Sequence, residues 1–182
     1  MRRLVAFAPC LVVAGCAVGP AAPTSAPSST SSQHAEDHQG SFQLVFELPR
    51  GTWKAGDAID GVATLALVSG SGVDLGGAGN GLFGFDFAEV DGSRHVEPAW
   101  DTVCAPYRLE PGKPMTSAIK KSGGFSADQP DADFYRSFLT DPVVHLPAGD
   151  WSISAIASFV EGKGCSGQSH TMRATIVVHV TP

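Results

Sequence analysis

The sequence predicts an all-β domain, an antiparallel β-sandwich of about seven to eight strands with one short helical insertion. Three observations lead there. Apolar residues recur at every second position through much of residues 41–182, the period of a strand with one buried face. The 182 residues hold 21 Gly and 13 Pro, breakers dense enough to favour short strands over long helices. Helical spacing occurs in a single stretch, 131–139.

Taken in order, Phe42, Leu44, Phe46 and Leu48 alternate with smaller or polar residues, and Pro49 and Gly51 end that strand. Trp53-Lys54-Ala55-Gly56-Asp57 reads as a turn. A second strand is expected over 58–68, with Ala63, Leu65 and Leu67 on one face. Residues 69–81 contain six glycines and read as a mobile loop, without the Lys-Ser/Thr ending of a phosphate-binding loop. Phe83, Phe85 and Phe87 alternate, and Asp91-Gly92 predicts a type I′ hairpin turn into a strand at 95–100. Leu109-Glu110-Pro111-Gly112-Lys113 is a turn before a strand at 115–121. Phe134, Phe138 and Leu139 give the helix its apolar side, with Pro130 at its start and Asp141-Pro142 after it. Trp151, Ile153, Ala155, Ala157 and Phe159 share one strand face, with Ser152, Ser154 and Ser158 opposite. Met172, Ala174, Ile176, Val178 and Val180 close the domain, leaving His179 towards solvent.

Two turns carry a resemblance. Trp53-Lys54-Ala55-Gly56-Asp57-Ala58-Ile59 and Leu146-Pro147-Ala148-Gly149-Asp150-Trp151-Ser152-Ile153 resemble the strand-entry turns of bacterial immunoglobulin-like domains, which implies an immunoglobulin-like sandwich. The Ala55-Gly56-Asp57 turn, the hairpin followed by Trp100 and the Leu109–Lys113 turn also resemble the intracellular proteinase inhibitors of bacilli. That likeness implies a protease-docking loop, for which 69–81 is the candidate. The chain departs from those inhibitors in its export signal, expected disulfide and helical insertion, and no inhibitory residue carries over.

The N-terminus has a different character. Arg2 and Arg3 precede an apolar run over 4–13, and Val13-Ala14-Gly15-Cys16 follows. That run of about ten residues is too short to span roughly 30 Å of hydrocarbon. The segment resembles a bacterial lipoprotein signal. The resemblance implies removal of residues 1–15, a diacylglycerol on Cys16 and membrane attachment through that lipid, outside the cytoplasm. Residues 16–40, rich in Pro, Ser and Thr, read as a disordered stalk. Within it His34 and His38 are four apart, as a helical metal site would need or as solvated side chains would permit. The folded domain is then 41–182.

Removing Arg2 and Arg3 leaves 10 Lys+Arg against 18 Asp+Glu, a formal charge of −8. That surface disfavours nucleic acid and anionic headgroups. With Cys10 removed and Cys16 lipidated, Cys104 and Cys165 remain, and an oxidising compartment pairs them.

Asp128, Asp131 and Asp133 could supply oxygens to Ca²⁺, or could be helix caps on a solvated acidic surface. They lack the glycine and glutamate of an EF-hand loop. Trp100, Tyr107, Phe125, Phe134 and Tyr135 lie in an irregular stretch near Cys104. They form either a binding surface on loops or a satellite core. His95, His145, His170 and His179 stand without a carboxylate or serine at telling spacing. The expectation is therefore a lipid-anchored cell-envelope protein that is not an enzyme and uses no cofactor. It binds an envelope protein or glycan. The alternatives are an extracytoplasmic protease inhibitor and a calcium-stabilised structural domain.

Overall fold

A computed structural model describes residues 31–182; the segment expected to be a signal peptide, the expected lipidation site Cys16 and the expected stalk as far as residue 30 lie outside them. The described chain is an all-β sandwich of eleven strands and one α-helix. The first sheet has the order β1 (Gln33–Gln39), β2 (Phe42–Leu48), β4 (Val62–Leu67), β9 (Met115–Ala118), all antiparallel. The second runs β3 (Thr52–Lys54), β11 (Gln168–Thr181), β10 (Gly149–Glu161), β5 (Val73–Ala78), β8 (Cys104–Leu109). Here β3 pairs in parallel with β11, and β6 (Phe83–Glu89) with β7 (His95–Val96) joins the β5 side of β10.

The core lies where the alternating faces meet. Phe42, Leu44, Phe46 and Leu48 of β2 are buried against Phe85 and Phe87 of β6 and the inward residues of β10 and β11. Phe46 meets Phe85 at 5.9 Å between ring centres, and Phe42 meets Phe159 edge-on at 4.9 Å. Helix α1 (Ala132–Thr140) closes one margin, with Phe138 edge-on to Phe87 at 5.2 Å.

Several expectations are corrected. The domain begins earlier than residue 41, because Gln33–Gln39, read as the end of the stalk, pairs along its length with β2. That strand has no apolar alternation; it is held through backbone pairing, with Ala35 alone packed on the core. His34 and His38 therefore lie on a strand, exposed beside Glu36, and not on a helix. Trp53 is inward on β3, so the turn spans only Lys54 to Asp57. The hairpin at Asp91-Gly92 exists, but Glu89 and Arg94 close a four-residue loop in which neither central residue has positive φ. Pro98 ends the returning strand, which spans only His95–Val96. Ser154 lies on the outward face as expected and is buried there.

The largest correction concerns 69–81. Val73–Ala78 of this glycine-rich stretch is a strand, paired with β8 along its length and with β10 at Leu75 and Gly76. Only 69–72 and the turn at 79–81 remain of the loop proposed to dock a protease. The two glycines of the strand, Gly76 and Gly77, are there for space. A Cβ on Gly76 would lie 2.5 Å from Sγ and 2.7 Å from Cα of Cys165, and one on Gly77 would collide with Leu82. Gly76→Ala should therefore keep Cys104 and Cys165 from closing, read as free thiol by reaction with a thiol reagent under native conditions. Full protection of both cysteines in that variant would show that the turn at 163–165 yields instead.

Candidate functional site

Cys104 and Cys165 form the expected disulfide, with their Cα atoms 6.1 Å apart. It joins the first residue of β8 to a short 3₁₀ turn, Lys163–Cys165, between β10 and β11. The bond thereby pins one end of a strap, residues 97–103, that crosses the outer face of the larger sheet. The strap lies close because Gly84 of β6 has no side chain. A Cβ there would fall 2.6 Å from Pro98 and 2.7 Å from the indole of Trp100. Polar ties fix its path. Asn80 donates its side-chain N–H to the Ala99 carbonyl (3.0 Å) and accepts the Asp101 N–H (3.2 Å). The Ser122 hydroxyl accepts the Ala99 N–H at 3.2 Å, and Asp101 accepts the Val103 N–H at 3.0 Å.

Between the strap and the outer face of β10 and β11 lies a cleft of about 310 Å³. Trp100, Thr102 and Val103 line one side, Ser158, Ser169 and Thr171 the other, and the disulfide its floor. Its volume is at the lower end of the range of small-ligand sites, about 300–1,000 Å³. Val103 at its rim is 61% exposed.

Beyond the strap a polar cluster occupies the same outer face. Asp86, 7% exposed, has one carboxylate oxygen 2.6 Å from His95 Nε2 and accepts Arg173 Nη1 with the other at 2.5 Å. His95 Nδ1 is 4.0 Å from Glu97. The Ser154 and Thr175 hydroxyls share a hydrogen bond of 2.8 Å nearby. The His95 ring is thus engaged by two carboxylates and by no hydroxyl or thiol.

His145, His170 and His179 also have acidic partners. His179 Nδ1 is 2.6 Å from Asp150, its cross-strand neighbour, and His170 Nε2 is 3.3 Å from Glu161. His145 Nε2 is 3.5 Å from Asp141. These are pairs, not clusters: among the described residues no three His, Cys, Asp or Glu side chains are placed to hold a metal. The three aspartates considered for calcium have separate partners. Asp128 takes the Ser126 hydroxyl, which holds its carboxyl below the usual range, Asp131 takes Ser93, and Asp133 takes Arg136.

The five aromatics do not form one surface. Trp100 alone lines the cleft with an unassigned face. Tyr107 lies in β8 and donates its hydroxyl to the Ala78 carbonyl at 2.8 Å. Phe125, Phe134 and Tyr135 pack on the core beside α1, where Tyr135 accepts the His95 N–H at 3.0 Å and Phe134 stacks on Phe138 at 5.5 Å. For those three the satellite-core alternative holds. The disulfide, expected to tie an irregular region, ties a strand, which sequence reading missed because Pro106 interrupts it; an edge strand tolerates proline.

Comparison with protein families, with curated proteins and with solved structures finds no match for this chain.

Proposed function

We propose that this protein is a lipid-anchored, extracytoplasmic binding module without catalytic activity, and that the strap cleft seats its ligand. The observation that carries the reading is the cleft itself: a partly exposed tryptophan over a rigid sheet, on a strap held at one end by a disulfide. Binding residues on a short, pinned segment lose little freedom when a ligand arrives. The disulfide supports a compartment outside the cytoplasm, where such bonds persist, and agrees with the lipobox at Val13-Ala14-Gly15-Cys16. Among the described residues the His95 ring meets the carboxylates of Asp86 and Glu97 and hydrogen-bonds no hydroxyl or thiol, which supports a role without turnover.

The test is affinity capture from cell-envelope extract with the full-length chain, compared with Trp100→Ala and Thr171→Arg variants. An envelope component retained by the parent and lost by both variants is the expected result. Capture that both variants keep would move the binding surface away from the cleft. A captured protease would favour the inhibitor alternative, and turnover of any captured component would overturn the non-catalytic reading.

A further inference from the structure

Building on the binding reading above, we infer that the strap cleft takes an uncharged carbohydrate. Four features of its lining lead to this class. First, among the described residues no lysine or arginine lines it. Asp101 is its one carboxylate, and its one imidazole, His170, is turned to Glu161 and stacked on Phe159 at 5.0 Å. A phosphate, carboxylate or sulfate would enter beside an acid with no cation to pair with, on a chain of net negative charge. Second, Ser158, Ser169, Thr171 and Thr102 bring hydroxyls to the cleft. Each is both donor and acceptor, the requirement for matching another hydroxyl. Third, Trp100 supplies a broad apolar face with a polar edge, on which the C–H face of a pyranose can lie while its hydroxyls reach outward.

The fourth feature separates sugar from peptide. An extended peptide is recognised chiefly by adding a strand to a free sheet edge. Along the cleft β10 and β11 are already paired, Ser158 with Thr171 and Val160 with Ser169, and Ser158 further donates its N–H to the Leu82 carbonyl at 3.0 Å. Their backbone is spent, so recognition falls to side-chain hydroxyls and the indole.

The chain also carries its own reporter. Of its three tryptophans, Trp53 is 1% and Trp151 0% exposed, so a change in solvent-sensitive tryptophan emission on ligand addition reports Trp100. The experiment titrates the full-length chain, in a detergent without a sugar headgroup, with the N-acetylglucosamine tetramer and with maltotetraose as neutral probes. Polyglutamate and a tetra-alanine peptide are the controls. The expected result is a saturable emission change with at least one neutral sugar and none with the controls. Trp100→Ala should then weaken binding by about tenfold or more, as loss of an aromatic anchor does, measured by calorimetry because the reporter is gone. Thr171→Arg keeps the reporter, leaves the strap's contacts in place and fills the cleft; it should abolish the change. Sugar binding that survives both variants would overturn the assignment. If neither sugar binds while envelope capture still depends on Trp100 and Thr171, the carbohydrate class falls and the binding module stands. If neither sugar binds and capture does not depend on the cleft, both readings fall together.

Discussion

Reduction of the Cys104–Cys165 disulfide should lower the unfolding free energy by about 4 kcal/mol, the chain-entropy cost of reopening a loop of this length. The two cysteines are 61 residues apart, and the loop they close contains β8, β9, α1 and the whole of β10. The free energy resides mainly in the unfolded chain, which the bond keeps compact. Urea titration with and without a thiol reductant measures it, and a Cys104→Ser, Cys165→Ser double variant should match the reduced protein. A loss below about 1 kcal/mol would mean that the reduced unfolded chain stays collapsed around this loop. The same variant should weaken ligand capture more than its global stability suggests, since the strap loses its pin while the sandwich beneath remains.

Arg94→Ala should destabilise the domain by about 2–3 kcal/mol, somewhat below the figure for breaking a fully buried ion pair. Arg94 pairs through Nε and Nη2 with both oxygens of Glu89, across the tip of the β6–β7 hairpin. Its guanidinium also lies 5.1 Å from the ring centre of Phe134 and 5.2 Å from that of Trp151. One side chain thus joins the hairpin, the helix and the central strand β10. Arginine's flat, bidentate charge suits this place and lysine's does not, so Arg94→Lys should recover only a minor part of the loss. The hydrogen bond from Arg94 holds the Glu89 carboxyl below its ordinary value of 4.5 and raises Arg94 in turn. A carboxylate with a depressed folded-state pKa contributes stability that is complete above its unfolded value. That stability is lost as the pH falls through the folded value. Stability should therefore fall below about pH 4.5, and the fall should be shallower in Glu89→Gln, as followed by urea midpoint at successive pH values.

Legibility in the sequence followed burial. β2, β6, β10 and β11 each present one face to the core, so their apolar residues alternate and their existence could be read directly. The helix was readable for the same reason: Phe134 and Phe138 mark its inner side. β1, β5 and β8 were not readable, each for a different cause. β1 is polar and is held by its neighbour's backbone. β5 has glycines where other strands have side chains, because the disulfide on one face and Leu82 on the other occupy the space. β8 contains a proline that only an edge position accommodates. The candidate site was legible in one residue of the five aromatics, Trp100. Its importance comes from Gly84 beneath it and Thr171 beside it, which lie 16 and 71 positions away in sequence. Contacts set by sheet register leave no mark in linear spacing, and the His95–Asp86, His170–Glu161 and His179–Asp150 pairs were hidden by the same geometry.

The paired first strand gives the molecule a root and a tip. Gln33, where β1 starts, packs on Gly51, whose carbonyl accepts the His179 N–H near the end of β11. Gln39, where β1 finishes, reaches the Thr171 carbonyl at 2.8 Å, on the wall of the cleft. Ten residues of β11 separate Thr171 from Thr181, about 33 Å at strand rise. The chain therefore enters at one pole and the cleft opens at the other. On the anchored reading proposed above, the tether would meet the domain at the pole away from the cleft and leave the mouth of the cleft unobstructed.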